Sequence, residues 1–225
     1  MANNKSIISD LFYGINWNIT QCGGCKYQTF NYQTYFFIVF PLEEVRKYKQ
    51  NNLNNYGQYN RFQFNQMNYN NFNNNYNSNE VSIFDCFNYD KKINFMSGAN
   101  AMYCNFCKNT CNSSMCTLLT TGPYILILLL NRGKGLEFNV KINFTEILDL
   151  SNYIQFNNQG AQYQLIGVIT HIGDSSMSGH FIAYCCDPLF GKWFKYNDAI
   201  VSDVLNFQNE VINFATPYLL FYKKI

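Results

Sequence analysis

Two pairs of cysteines place the strongest constraint on the fold of this chain, because each pair has the spacing of a metal-binding turn. Cys22-Gly-Gly-Cys25 and Cys104-Asn-Phe-Cys107 each hold two thiols with two residues between them. Two such turns complete a tetrahedral shell of four thiolates around Zn²⁺, and four protein ligands leave no position for a catalytic water. We therefore predict a structural zinc site on Cys22, Cys25, Cys104 and Cys107.

The other cysteines leave the ligand set open. The chain has nine cysteines, and Cys111 or Cys116 could replace one of the four ligands or remain free. The alternative is that the paired cysteines are simply small buried side chains. An odd number of cysteines also argues against a complete disulfide framework.

Composition excludes several classes of function. Charged residues make up 13% of the chain and the net charge is +2, which gives no electrostatic case for binding nucleic acid or an anionic membrane. The start of the sequence does not resemble a secretory signal. The longest apolar run, residues 124–130, is far shorter than the roughly 20 residues that a membrane-spanning helix needs. We expect an intracellular protein, cytoplasmic or nuclear, with reduced cysteines.

The hydrophobic pattern predicts an α+β fold that is mainly antiparallel β. Residues 27–42 are rich in aromatic and β-branched side chains and predict a strand. After residue 100, apolar or alternating segments are separated by turn signals at Gly133, Gly173 and Gly191. A short helix or turn is expected at 6–14, and further short helices at 42–49, 145–151 and 200–205.

Residues 49–80 differ from the rest of the chain. This segment is a low-complexity stretch of Asn, Tyr and Phe with few charges and no hydrophobic period. We predict that it is an inserted flexible loop.

The two histidines of the chain bracket one Gly- and Ser-rich segment. His171 and His180 stand at the ends of "HIGDSSMSGH", so they should lie on neighbouring, paired strands. A following hairpin can return Asn197 or Asp198 to a position across from His180. An amide or carboxylate there can accept the Nδ1–H of the imidazole and leave Nε2 as a base. The alternative is an ordinary surface histidine beside a turn.

These segments resemble the ubiquitin-specific protease family. "YQLIGVITHIGDSSMSGHFIAYCCDPLFGKWFKYNDAIVSDV" and the ending "PYLLFYKK" are similar to the histidine box of that family, and the two cysteine pairs are similar to its zinc-bearing fingers. The resemblance implies the fingers and palm of a papain-like cysteine protease domain without its thumb. The implied parts are fingers with a zinc ribbon at 1–48 and 81–120, the Asn-rich insert at 49–80, and the palm at 121–225.

The resemblance also implies an activity, namely thiol-dependent hydrolysis of isopeptide or peptide bonds at the C-terminus of ubiquitin. His180 would be the general base, oriented by Asn197 with Asp198 beside it, and no cofactor would take part in the chemistry. The implied partner is ubiquitin or a ubiquitinated protein. The residues implied to contact it are His171, Ser178, Gly179, Phe181 and Tyr196.

One departure from the family concerns the nucleophile. The Gly-Asn-Thr-Cys-Tyr box that carries the family's catalytic cysteine has no counterpart in this sequence. We therefore expect the chain alone to be inactive, as a truncated part of a deubiquitinase. The two alternatives are an inactive ubiquitin-binding module and a zinc-ribbon interaction protein.

Overall fold

The structure is a computed structural model that describes residues 6–60, 79–133, 139–156, 160–175, 178–213 and 216–225. Three α-helices are described: α1 (Ile7–Phe12), α2 (Leu42–Asn60) and α3 (Ile83–Asp90). A short 3-10 helix spans Gly98–Asn100, and a π-helix spans Gln208–Asn213. The strands are β1 (Gly14–Cys22), β2 (Gln28–Tyr35), β3 (Ile38–Pro41), β4 (Glu80–Ser82), β5 (Asn94–Met96), β6 (Met102–Cys104), β7 (Asn109–Cys111), β8 (Ser113–Thr121), β9 (Ile125–Asn131), β10 (Lys141–Asn143), β11 (Ile147–Asp149), β12 (Gln162–Ser175), β13 (Ser178–Cys186), β14 (Trp193–Asn197), β15 (Ile200–Asp203) and β16 (Pro217–Lys224).

The larger sheet contains eight strands and forms the body of the molecule, which we call the palm sheet. Its strand order is β15-β14-β13-β12-β16-β9-β3, with β11 added on β12. All its pairs are antiparallel except β3 with β9, which is parallel. The predicted α+β fold with a mainly antiparallel sheet is confirmed.

A second sheet extends from the palm sheet and carries the cysteine pairs. It has four antiparallel strands in the order β2-β1-β8-β5, and the small hairpin of β6 and β7 lies at its end. We call these strands together the finger sheet. A separate parallel pair joins β4 to β10.

The hydrophobic core consists mainly of side chains from the palm sheet and from the elements packed against it. The apolar strand β9 buries alternate leucines, Leu126, Leu128 and Leu130, and α3 adds Phe87, whose ring centroid lies 5.0 Å from that of Phe40. Alternation explains the pattern, since one face of each strand packs inward. The helix α2 is joined to α3 by an ion pair of Lys49 Nζ with Asp85 Oδ2 at 2.9 Å.

Two of the predicted short helices are wrong. Residues 145–151 contain β11, and residues 200–205 contain β15. Both segments are extended because each pairs with a palm strand, β11 with β12 and β15 with β14. Tertiary strand pairing outweighs weak helix propensity in segments this short.

The segment predicted as an inserted loop is partly helical. The helix predicted at 42–49 begins at Leu42 but continues to Asn60, so the loop prediction is wrong for 49–60. Glu43 and Glu44 in the first turn favour helix formation, and once nucleated a helix gains one hydrogen bond per added residue. Residues 61–78 lie outside the described residues.

The single strand predicted over 27–42 is also divided. It forms β2 in the finger sheet and β3 in the palm sheet, with Phe36 and Phe37 between them. The chain therefore crosses from one sheet to the other at this point.

Candidate active site and metal centre

The hairpin of β12 and β13 places His180 at the edge of the core. Its register pairs His171 with Phe181 and Ile172 with His180, which confirms that the two histidines lie on neighbouring strands. Alternation puts His180 on the same face as Ile182 and Tyr184, both of which are buried. His180 lies beyond these buried residues, closer to the tip of the hairpin, and its side chain is 45% exposed.

The adjacent strand β14 supplies a partner for His180. Asn197 ends this strand, and its Oδ1 lies 2.5 Å from His180 Nε2. An amide oxygen only accepts, so Nε2–H donates to Asn197 and Nδ1 keeps the lone pair. The expectation that Nδ1 would face the orienting residue is wrong: the strand geometry turns the opposite nitrogen toward β14.

Asp198 has a weaker connection to the same ring. Its Oδ2 lies 3.7 Å from His180 Nε2, and its side chain is 81% exposed. Its φ of 51° puts it in the left-handed region, which starts the turn between β14 and β15. Of the two predicted orienting residues, Asn197 is therefore the one in hydrogen-bond contact.

His171 lies on the opposite face of the hairpin from His180 and is only 6% exposed. Its ring packs against Phe181, with centroids 4.9 Å apart, and against Tyr218 of β16 at 5.8 Å. A β-carbon built at Gly179 would lie 2.0 Å from His171 Cε1. The glycine before His180 thus accommodates the buried His171 ring.

The remaining residues expected to contact a substrate are accessible. Ser178, Gly179, Phe181 and Tyr196 are all exposed around the tip of the hairpin and on β14. Their role in binding stays a prediction, as does that of His171.

The four paired cysteines meet at the end of the finger sheet. Cys22 and Cys25 lie in the turn after β1, and Cys104 and Cys107 lie in the turn between β6 and β7. All four sulfurs lie within 4.8 Å of one another. The prediction that two segments far apart in sequence form one thiol cluster is confirmed.

The two cysteine turns have the same backbone geometry. In the first, Lys26 N donates to Cys22 O at 3.0 Å, and in the second, Lys108 N donates to Cys104 O at 2.8 Å. Both lysines have positive φ angles, 65° and 56°. Each turn therefore curls its two thiols toward one side, so that the two turns face each other as halves of one site.

The sulfur spacing fits a tetrahedral metal ion. The distance from Cys22 Sγ to Cys107 Sγ is 3.8 Å, and that from Cys25 Sγ to Cys104 Sγ is 3.7 Å. Four sulfurs bound to Zn²⁺ at about 2.3 Å lie about 3.8 Å apart at the corners of a tetrahedron. The backbone N–H groups of Cys25 and Gly24 help to lower the pKa of Cys22 to about 6, whereas the neighbouring Cys25 thiol and burial raise the pKa of Cys107.

The profile of the family described as "Ubiquitin carboxyl-terminal hydrolase" matches residues 1–222. The chain belongs to this family.

Relatives within the ubiquitin carboxyl-terminal hydrolase family include enzymes from animals and plants. The chain is 33% identical over 121 residues to ubiquitin carboxyl-terminal hydrolase 48 of Gallus gallus, covering 51% of this chain and 12% of that protein. It is 34% identical over 134 residues to ubiquitin carboxyl-terminal hydrolase 25 of Arabidopsis thaliana, covering 57% and 20%. The matched part is thus a small fraction of the length of these relatives.

Solved structures show the same fold for this member of the hydrolase family. The yeast SAGA deubiquitinase module aligns with a TM-score of 0.69 and 23% identity over 100% of this chain and 44% of the other. A SAGA deubiquitinase module bound to monoubiquitin aligns with a TM-score of 0.68 and 21% identity over 100% and 43%. The predicted α+β, mainly antiparallel fold is therefore confirmed by these structures as well. No helix in the described part of the chain is long and apolar enough to cross a bilayer.

None of the cysteines of this hydrolase-family chain lies in hydrogen-bond contact with His180 among the described residues, which include all nine. Cys185, on the same strand, is five residues further along, or about 16 Å in an extended strand. Cys86 is fully buried in α3, and burial raises its pKa well above the ordinary value. Neither of these two sulfurs is a hydrogen-bond partner of His180.

Two residues that support the site were not singled out from the sequence. Tyr218 packs on His171 and Phe181. The sequence feature that could have indicated Tyr218 was its position in the "PYLLFYKK" ending. Arg132 is buried, and its Nε and Nη1 donate to Pro217 O at 2.8 Å and Val140 O at 2.7 Å. Its signal was a charged residue directly after the apolar strand β9, and burial lowers its pKa to about 10.

Proposed function

We propose that this chain supplies the general base and the orienting residue for thiol-dependent hydrolysis of isopeptide or peptide bonds at the C-terminus of ubiquitin. The observation that carries the proposal is the 2.5 Å contact between His180 Nε2 and Asn197 Oδ1 at the exposed end of the palm sheet. Membership of the hydrolase family supports the reaction class.

The contact with Asn197 supports separate tasks for the two nitrogens of His180. Asn197 accepts the Nε2–H and so holds the imidazole in the tautomer whose Nδ1 is free to take a proton. Nδ1 would take the proton of a thiol as its sulfur attacks the carbonyl carbon, and would return that proton to the departing amine. The resulting thioester would then be hydrolysed by water, with His180 again as the base.

We further propose that the thiol comes from outside these residues, because no cysteine of the chain is in contact with His180. Incubation of the purified chain with ubiquitin bearing a C-terminal fluorophore should give no release of the fluorophore above that of the His180→Ala variant. Turnover by the chain that is lost in His180→Ala would contradict this part of the proposal.

A second candidate function is ubiquitin binding without cleavage, which the positions of the cysteines favour. The residues that would contact the ubiquitin tail are His171, Ser178, Gly179, Phe181 and Tyr196, with the His171 ring packed against Phe181. Calorimetric titration with ubiquitin should detect binding, and Phe181→Ala or Tyr196→Ala should weaken it. No detectable binding would leave the third candidate, a zinc-ribbon interaction protein.

We also propose that Cys22, Cys25, Cys104 and Cys107 hold a structural zinc ion. Support comes from the sulfur spacing and from the thiolate-stabilising amides at Cys22. When bound, Zn²⁺ joins the two cysteine turns and takes no part in catalysis. Metal analysis of the folded protein should find one zinc ion per chain.

We also propose that the protein is located in the cytoplasm or the nucleus. All nine cysteines are free of disulfides, which suits a reducing compartment such as the cytoplasm or nucleus. The net charge of +2 gives no reason to add nucleic acid or a membrane surface to the partners.

A further inference from the structure

A fifth cysteine lies beside the four that form the proposed zinc site. Cys111 ends β7, the strand that leads away from the second cysteine turn and pairs with β6. The next residue, Asn112, accepts a hydrogen bond from Gly23 N at 2.7 Å. The main chain around Cys111 is therefore fixed against the first turn as well as the second.

Gly24 shows which edge of the thiol cluster Cys111 approaches. A β-carbon built at Gly24 would lie 3.6 Å from Cys111 Sγ, 3.7 Å from Cys22 Sγ and 3.8 Å from Cys107 Sγ. Cys22 and Cys107 form one edge of the cluster, and Cys25 and Cys104 form the opposite edge. Cys111 therefore lies on the side of the cluster where Gly24 meets Cys22 and Cys107.

Cys22 and Cys107 differ in how deeply their side chains are buried. Cys22 is 4% exposed and anchored at the end of β1, whereas Cys107 is only partly buried, as is Cys111. A change of side-chain rotamer moves the Cys111 sulfur without moving the backbone. Cys107 is therefore the ligand that Cys111 can replace with the least disturbance.

We propose that Cys111 is a reserve zinc ligand, which binds the metal in place of Cys107 when the Cys107 thiolate is lost. In this exchange the Zn–S bond to Cys107 would break and a bond to the Cys111 sulfur would form, and the proton that the Cys111 thiol gives up would pass to the Cys107 sulfur. Four thiolates surround the ion before and after, so the charge of the site does not change. This proposal rests on the zinc site proposed above.

Two matched variants test the exchange. Cys25 and Cys107 are each the second cysteine of their turn and are both partly buried. Cys25 contacts Cys104, whereas Cys107 contacts Cys22 on the side of the cluster that Cys111 shares. Loss of one thiolate without replacement should weaken zinc binding on the order of 100-fold. We expect that loss for Cys25→Ser and for the double variant Cys107→Ser/Cys111→Ser, and less than a tenfold loss for Cys107→Ser alone.

Cobalt substitution reports how many sulfurs bind the metal. The Co²⁺-loaded wild-type chain, Cys111→Ser and Cys107→Ser should all give the absorption bands of four thiolates. Cys25→Ser and the double variant should give weaker bands of three. If Cys107→Ser matches the double variant in both affinity and spectrum, the reserve-ligand proposal is wrong.

The outcomes separate this proposal from the zinc site itself. A wild-type chain that binds neither Zn²⁺ nor Co²⁺ through four thiolates would contradict the zinc site, and the reserve ligand with it. Should the serine variants fold poorly, alkylation of the metal-loaded wild-type chain followed by peptide mapping gives a second measurement. Cys111 should react while Cys107 is protected, and equal protection of both would contradict the proposal.

Discussion

At the scale of single residues, the roles of the two His180 nitrogens follow from where Asn197 stands. The Nε2–H donates to the amide oxygen 2.5 Å away, whereas the Asp198 carboxylate is 3.7 Å away and exposed. A short neutral hydrogen bond selects a tautomer more strongly than an exposed, solvated charge does. The tautomer of His180 should therefore depend on Asn197 and little on Asp198.

Imidazole ¹⁵N NMR tests this dependence directly, because the chain has only two histidines. We expect neutral His180 to carry its proton on Nε2 in the wild-type chain and to become a mixture of tautomers in Asn197→Ala. The Asp198→Asn variant is the matched control and should leave the Nε2–H form dominant. A mixture in Asp198→Asn with no change in Asn197→Ala would reverse the assignment of the orienting residue.

Asp90 is a second residue from which a prediction follows, because its ionisation is coupled to the stability of the fold. It lies at the C-terminal end of α3, where burial raises its pKa to about 6 and Lys92 offsets part of the effect. Because the folded pKa lies above the ordinary 3.8, folding favours the protonated acid. The stability that it contributes is fully present below about pH 4 and is lost as the pH rises to about 6.

Asp90→Asn should remove this pH dependence. We expect the variant to come close to the wild-type chain at pH 4 and to exceed its free energy of unfolding by about 2–3 kcal/mol at pH 7. Urea denaturation of both proteins between pH 4 and 8 checks this, since the difference cancels other titrating groups. A difference that stays constant over the whole range would contradict the prediction.

At the scale of elements, the β12–β13 hairpin depends on a close approach of its two strands around His171. The space for that ring exists because Gly179 has no side chain, and a β-carbon there would also lie 2.6 Å from Ile172 O. The backbone oxygen cannot move away without breaking the strand pairing. The position of His180 is thus coupled to packing on the opposite face of the hairpin.

Gly179→Ala should therefore destabilise the chain by about 2–3 kcal/mol, the cost of overpacking a tight site. Gly167→Ala is the control, because its β-carbon would meet its nearest neighbours at an ordinary 3.6 Å. In a double-mutant cycle, His171→Ala should recover part of the loss in Gly179→Ala, as measured by urea denaturation. Strictly additive effects would show that the His171 ring is not what excludes a side chain at 179.

At the scale of the whole molecule, the palm sheet and the finger sheet differ in what stabilises them. The palm sheet encloses the apolar core, whereas seven of the eight residues of β2 are exposed. The residues of the finger sheet that are buried near its end are mainly Cys22, Cys104 and Ser113. With few buried apolar side chains at this end of the molecule, we expect the proposed metal to contribute much of its stability.

Removal of the metal with a chelator under reducing conditions should therefore affect one sheet only. Amide hydrogen exchange should accelerate in β6, β7 and the ends of β1 and β8, because the cysteine turns are no longer joined. The palm strands β9, β12 and β16 should keep their protection. Equal acceleration in both sheets would show that the palm depends on the metal as well.

Much of the fold and of the candidate site could be predicted from local patterns. Cys-x-x-Cys spacing, alternation in β13 and the turn before Trp193 are encoded in adjacent residues, so they predicted the thiol cluster and the hairpin that carries His180. The errors at 145–151 and 200–205 arose because short segments with weak propensity take the structure that their neighbours in space impose. The error at 49–60 arose because the helix that begins at Leu42 continues into that segment.

The sequence by itself determined the residue types of both sites, since thiol spacing and the order of histidine and amide along paired strands are local properties. Only the tertiary structure decided which imidazole nitrogen faces Asn197 and why a side chain would not fit at position 179. It also decided that Cys111 lies on the side of the thiol cluster that holds Cys22 and Cys107. Each of these depends on a distance of a few ångströms between segments far apart in the chain. Such distances are set by packing, which no local pattern contains.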